Sequence, residues 1–108
     1  MERDGLSFRV QFCLSMQRAL WGLVPACLRA VALGFEGEVA RARFIFDHEP
    51  DADDREAVSE VETYVFADFG PGLLTEFTVD VVPDGPLTHK PREAWWAYIR
   101  QEPRSSEG

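Results

Sequence analysis

Apolar residues early in the chain fall at Phe8, Phe12, Met16, Ala19, Leu20 and Leu23, with Arg9, Gln11 and Arg18 off that stripe. Spacing of three and four predicts a helix over residues 7–23 with one buried face. Ser7 is placed to cap its start, and Gly22 and Pro25 to end it. Two strands are predicted next, over residues 27–35 and 39–47, joined at a Glu36-Gly37 hairpin turn. In the second, Ala40, Ala42, Phe44 and Phe46 alternate with Arg41, Arg43 and Ile45, so one face is expected buried and the other wet, with Arg29 joining the wet side.

Pro50-Asp51 opens a second predicted helix. Asp51 suits its cap, and Asp53 and Asp54 suit the positive end of its dipole. Ala57, Val58, Val61, Tyr64, Val65 and Phe69 form the inward stripe, and Gly70-Pro71-Gly72 stops the helix. Residues 75–82 alternate again, Phe77, Val79 and Val81 against Glu76, Thr78 and Asp80. After a loop through Pro83-Asp84-Gly85-Pro86 and Lys90-Pro91, residues 94–100 form the last strand. The order is α-β-β-α-β-β, which predicts an α+β fold: a mainly antiparallel four-stranded sheet, its paired strands joined by hairpins, with two helices packed on one face. Trp95 and Trp96 then point to opposite faces, one into the core and the other exposed at an interface or covered by a loop.

With 108 residues and 45% hydrophobic content, the chain suits one domain with its own core, and residues 1–6 and 103–108 are expected to be loose ends. Residues 10–33 are strongly apolar, but Gln11, Gln17, Arg18, Pro25 and Arg29 interrupt them, so a buried core segment is expected and not a membrane span. No basic region with a short apolar core and cleavage site precedes it, and a cytoplasmic protein with reduced Cys13 and Cys27 is expected.

Charge changes the picture most. Residues 1–46 carry 6 basic and 4 acidic side chains and residues 69–108 carry 4 and 6, whereas residues 47–68 carry 9 acidic and 1 basic, so the net charge of −8 is concentrated in 22 residues. Capping and the helix dipole account for Asp51, Asp53 and Asp54, and a structural role beside the turn after Gly70, through its backbone amides, accounts for Asp68. Asp47, Glu49, Glu56, Glu60 and Glu62 are left as candidate partner-binding residues. Glu56 and Glu60 lie four apart, a like-charge pair costing about 0.2–0.5 kcal/mol, which a positive partner would relieve. An acidic patch steers basic proteins in and repels nucleic acid. Arg29, Arg41 and Arg43 are expected to pair across strands with Glu76 or Asp80.

The chemistry of an enzyme is not visible. The serines and cysteines lie in no nucleophile signature, and there is no phosphate-binding glycine loop. Only His48 and His89 accompany the two cysteines, too few for an expected zinc site. Asp47-His48-Glu49 reads as an extended segment whose neighbours point apart, so these side chains are not expected to converge. No cofactor is expected.

One resemblance adds to this reading. It rests on Gln17 through Gly22 followed by Pro25, on Leu28-Arg29-Ala30-Val31, and on Phe44-Ile45-Phe46-Asp47 with Glu49. Val65-Phe66-Ala67-Asp68-Phe69 and Trp96-Ala97-Tyr98-Ile99-Arg100 complete it. With these the chain resembles, over most of residues 14–102, a family of small bacterial contact-dependent growth inhibition immunity proteins. The resemblance implies a cytosolic antidote that binds the toxic domain of a delivered effector, often a nuclease with a basic active surface. It assigns no contact residue; Arg18, Arg29 and Asp68 are as well explained by keeping the fold. The expected partner is thus a basic protein, a cognate toxin domain, with no direct nucleic acid or membrane partner and a monomeric or weakly dimeric chain. The alternative is a non-catalytic adaptor or homodimeric subunit of a bacterial complex.

Overall fold

The computed structural model describes residues 5–37 and 39–101. Helix α1 runs Gly5–Ala19. It starts before Ser7, which is therefore inside the helix and not its cap, and it ends in a turn at Gly22 instead of reaching Leu23. Of the ends expected to be loose, residues 5 and 6 belong to α1, while 1–4 and 103–108 lie outside the described residues. The predicted stripe is nevertheless the core face: Phe12 and Met16 are fully buried, Ala19 and Leu20 nearly so, and Phe8 and Leu23 pack against them.

Strands β1 (Leu28–Glu36) and β2 (Val39–Phe46) form the expected hairpin, paired from Leu28 opposite Phe46 to Glu36 opposite Val39 with one register shift between Leu28 and Ala30. Helix α2 (Ala52–Phe69) opens on a reciprocal capping box. The Asp54 amide donates to Asp51 Oδ1 at 2.9 Å, and the Asp51 amide to Asp54 Oδ2 at 3.2 Å. The helix closes at Gly70, whose amide donates to the Phe66 carbonyl at 2.8 Å and whose φ of 80° then turns the chain out of the helix. Strands β3 (Leu74–Val81) and β4 (Glu93–Ile99) follow.

The element order, the two helices and the α+β class are as expected, but the sheet is mixed. Its order is β3-β2-β1-β4, with β1 antiparallel to both neighbours and β3 parallel to β2. The reason is α2: a helix between neighbouring strands carries the chain back to its starting end, so the next strand runs in the same direction. Strands β3 and β4, expected as neighbours, occupy opposite edges. One face of the sheet, with Val31, Leu33, Phe35, Ala40, Ala42, Phe44 and Phe46, packs under both helices together with Val61 and Val65 of α2. Each such buried large side chain stabilises the fold by about 1.5–3 kcal/mol.

The second face is wet only toward its β3 edge, where Arg41, Glu76 and Thr78 meet solvent; its centre is covered. Strands β3 and β4 point the same way from opposite edges, so residues 82–92 must cross the sheet to join them, and they lie over Ala30, Ala32 and Ile45, all at most 1% exposed. Arg29 and Arg43 are consequently buried and hold this strap down. Arg29 donates to the carbonyls of Val82 (2.9 Å) and Gly85 (2.8 Å). Arg43 donates to Thr88 O at 3.0 Å, to both carboxylate oxygens of Glu93 at 2.8 and 2.9 Å, and to Asp80 at 3.0 Å. The predicted pairing with Asp80 is thus present, and Arg41 pairs with Glu76 at 2.9 Å. Trp96 stacks on His89 of the strap, ring centroids 4.3 Å apart, while Trp95 meets Phe35 edge-on at 5.5 Å on the helix side. Among the described residues, no helix is long and apolar enough to cross a membrane.

Candidate partner-binding surface

Helix α2 sorts its acids by what already holds them. Asp51 and Asp54 are spent on the cap, and no basic residue occupies the last turn. Glu49 is paired with Arg55, the sole base among residues 47–68, so that cation is not available to the helix face. Glu56 and Glu60, four apart, form an exposed stripe with Thr63 and Ala67. Among the described residues, neither has an ion-pair partner, and neither does Glu62. Glu62 does not share their face. At 3.6 residues per turn it lies about 120° round the helix from Glu56 and about 160° from Glu60. It occupies the flank turned away from α1, with Phe66 one turn further on. Phe66 and Tyr64, each 42% exposed, border the acidic stripe on its two sides.

Asp47 belongs to the frame as well as to the surface. Its amide donates to Cys27 O at 2.9 Å and its Oδ2 accepts from Arg100 at 3.0 Å, closing the end of β2 to the end of β4 over the start of β1. The hydrogen bond from Arg100 holds this carboxyl below the usual aspartate range, against the opposing effect of desolvation. His48 Nδ1 is 2.6 Å from Asp47 Oδ1. Residues 47 and 48 form a bend and not an extended strand, so these two neighbours do meet, contrary to the expectation from alternation. Behind them the Cys27 thiol donates to Asp54 Oδ2 at 3.2 Å; burial first, then that hydrogen bond, pushes the thiol up to about 11.

Asp68 is structural, as expected, but its donors differ. They come from α1, not from the turn after Gly70: the Ser15 hydroxyl at 2.6 Å and Arg18 at 3.2 Å. Ser15 is buried, and its hydrogen bond is the larger cause holding the Asp68 carboxyl below its usual value, ahead of Arg18. A carboxyl depressed in the folded state contributes stability above its unfolded pKa of about 4 and loses it as pH falls through the folded value. Ser15→Ala should therefore shrink the acid-side loss. Urea midpoints measured from about pH 6 to about pH 3 are expected to fall less in the variant than in the parent, and equal slopes would remove Asp68 from the acid response.

A second surface went unmarked in the sequence. Trp21 is 77% exposed in the turn after α1, and with Leu14, Val24, Ala97 and Tyr98 it lines an open groove between α1 and β4. Trp21 follows directly on the helical stripe, and only its departure from the helix at Ala19 turns it outward. The sequence signal was the Gly22-Pro25 stop, read as the helix end without regard to the residue just before it.

The model of the MafI2 immunity protein family matches residues 9–102 of the chain. No curated protein matches it.

Proposed function

The chain belongs to the MafI2 immunity protein family, and from that premise we propose that it neutralises a basic toxin domain, a nuclease, by covering it with the outer face of α2. Immunity is the class the sequence resemblance had implied, and the family match carries it. The match says nothing of contact-dependent growth inhibition, of the toxin's chemistry or of the contact face.

The observation that carries the proposal is the unrelieved charge of Glu56 and Glu60. Both are exposed, neither has a cation among the described residues, and their like charges oppose each other across one turn. A nuclease must gather a polyanion, so its active surface is basic and complements such a stripe. Tyr64 and Phe66 beside the stripe supply aromatic contact area of the kind that dominates interface energies. Glu62 lies outside this face, on the flank beyond Phe66, and Asp47 and Glu49 precede the helix with intramolecular cations in place. Inhibition by such a face is binding and masking, without chemistry by the inhibitor.

The double variant Glu56→Lys/Glu60→Lys is expected to slow association with the cognate toxin domain by about tenfold or more at low salt, with an unchanged circular dichroism spectrum. Glu62→Lys alone should slow it less, and the parent rate should fall steeply with salt. A double variant that still protects cells fully would remove α2 from the interface. The alternative, an adaptor or homodimer, draws on the Trp21 groove. Light scattering separates the two, because a homodimer through that groove forms without any toxin and is lost in Trp21→Ala.

A further inference from the structure

We infer that Cys27, His48 and Asp54 form a binding site for one zinc-like divalent transition-metal ion, with Asp47 holding the histidine. The three ligand atoms, a sulfur, an imidazole nitrogen and a carboxylate oxygen, all lie within 4.8 Å of one another. They come from three separate elements: the turn before β1, the bend after β2 and the first turn of α2. The hairpin and the helix cap therefore build the cluster; it is not a run of neighbouring acids.

The geometry suits the ion. Tetrahedral zinc with bonds of about 2.3 Å to sulfur and about 2.0 Å to oxygen needs those two atoms about 3.5 Å apart. Cys27 Sγ and Asp54 Oδ2 are 3.2 Å apart, so the ion enters with little movement of either. Cys27 is buried at the bottom of the site and Asp54 is half-buried, while the His48 side chain is 68% exposed, leaving the site open to solvent on that side. Three protein ligands with an open position for water is a recurrent zinc arrangement. Asp47 Oδ1, 2.6 Å from Nδ1, adds the carboxylate beside a ligating imidazole that orients such rings. A thiolate and an imidazole also exclude magnesium and calcium, which take oxygen ligands. On binding, the ion takes the place of the thiol hydrogen now shared with Asp54, and one proton leaves to solvent.

The site does not involve Glu56 or Glu60 and can be tested without a toxin. Titrating the full chain with Co²⁺ is expected to give a one-to-one complex with a thiolate-to-cobalt charge-transfer band and the strong visible bands of tetrahedral cobalt. Zn²⁺ should displace the cobalt. Cys27→Ser should abolish the charge-transfer band, whereas Cys13→Ser should keep it. His48→Gln, an exposed position that leaves the fold intact, should weaken zinc binding at least about tenfold, the loss produced by removing even an outer partner of a ligand. Asp54 is left unaltered because it also caps α2. A cobalt complex without the thiolate band overturns the inference. So does zinc affinity unchanged in both Cys27→Ser and His48→Gln, which marks adventitious binding to surface carboxylates.

Discussion

Arg43→Met is expected to destabilise the domain by about 3 kcal/mol, the lower end of the cost of breaking a buried ion pair. The guanidinium is buried, and its four hydrogen bonds tie the strap at Thr88 to the strands at its two ends, Asp80 of β3 and Glu93 of β4. Removing it leaves Glu93, whose side chain is 11% exposed, as a charge without its cation. Asp80 suffers less, because Lys90 also reaches it at 3.2 Å and it keeps contact with water. Chemical denaturation followed by tryptophan fluorescence would give the loss directly. Adding Glu93→Gln to Arg43→Met removes the stranded charge and should recover part of it; a double variant as unstable as the sum of two damaging single changes would assign the cost to packing instead.

Gly34→Ala should be nearly as damaging, for a reason that involves no charge. A Cβ built at Gly34 would stand 2.2 Å from the Arg92 carbonyl oxygen and 2.9 Å from both Arg92 C and Glu93 Cα. All three are backbone atoms where the strap turns into β4, so no flexible side chain can yield. The Phe35 amide donates to that same Arg92 carbonyl at 3.3 Å, and Arg92 holds a φ of 75°, unusual for a residue with a side chain. To admit one methyl group, β4 must move away from β1. A cost of about 3 kcal/mol, at the top of the common range for overpacking, is expected in the same denaturation measurement. A loss below about 0.5 kcal/mol, the size of an ordinary surface substitution, would show that the strap and β4 move freely.

These two positions also mark where the sequence stops being legible. Local signals gave the helices, the Asp51 cap, the hairpin at Gly37 and the core face of β2, because each depends on neighbours a few residues apart. The parallel partner of β2 was hidden, since strand alternation is the same whichever strand lies alongside. The burial of Arg29 and Arg43 was hidden for a related reason. Alternation says that one face differs from the other, not what covers it, and the cover here is a loop some 40–60 residues away. The acid run could be sorted in part from sequence. Its caps were visible, but the use of Asp68 by Ser15 and of Asp47 by Arg100 spans more than 50 residues in each case. The meeting of Cys27 with His48 and Asp54 has the same origin, and so does the exposure of Trp21.

The sheet order has a consequence for how the molecule comes into being. Strand β1, made early, completes its hydrogen bonding only when β4 is laid against it, and the strap that covers the second face precedes β4 in the chain. On the ribosome the hairpin and α2 emerge and collapse first, with one side of β1 still open and Ala30 and Ala32 uncovered. The domain closes only when residues 93–99 clear the exit tunnel. A chain cut short before Glu93 is therefore a three-stranded sheet with β1 as an unpaired edge, not a smaller antidote. Such a nascent species is the aggregation-exposed stage of the protein's life.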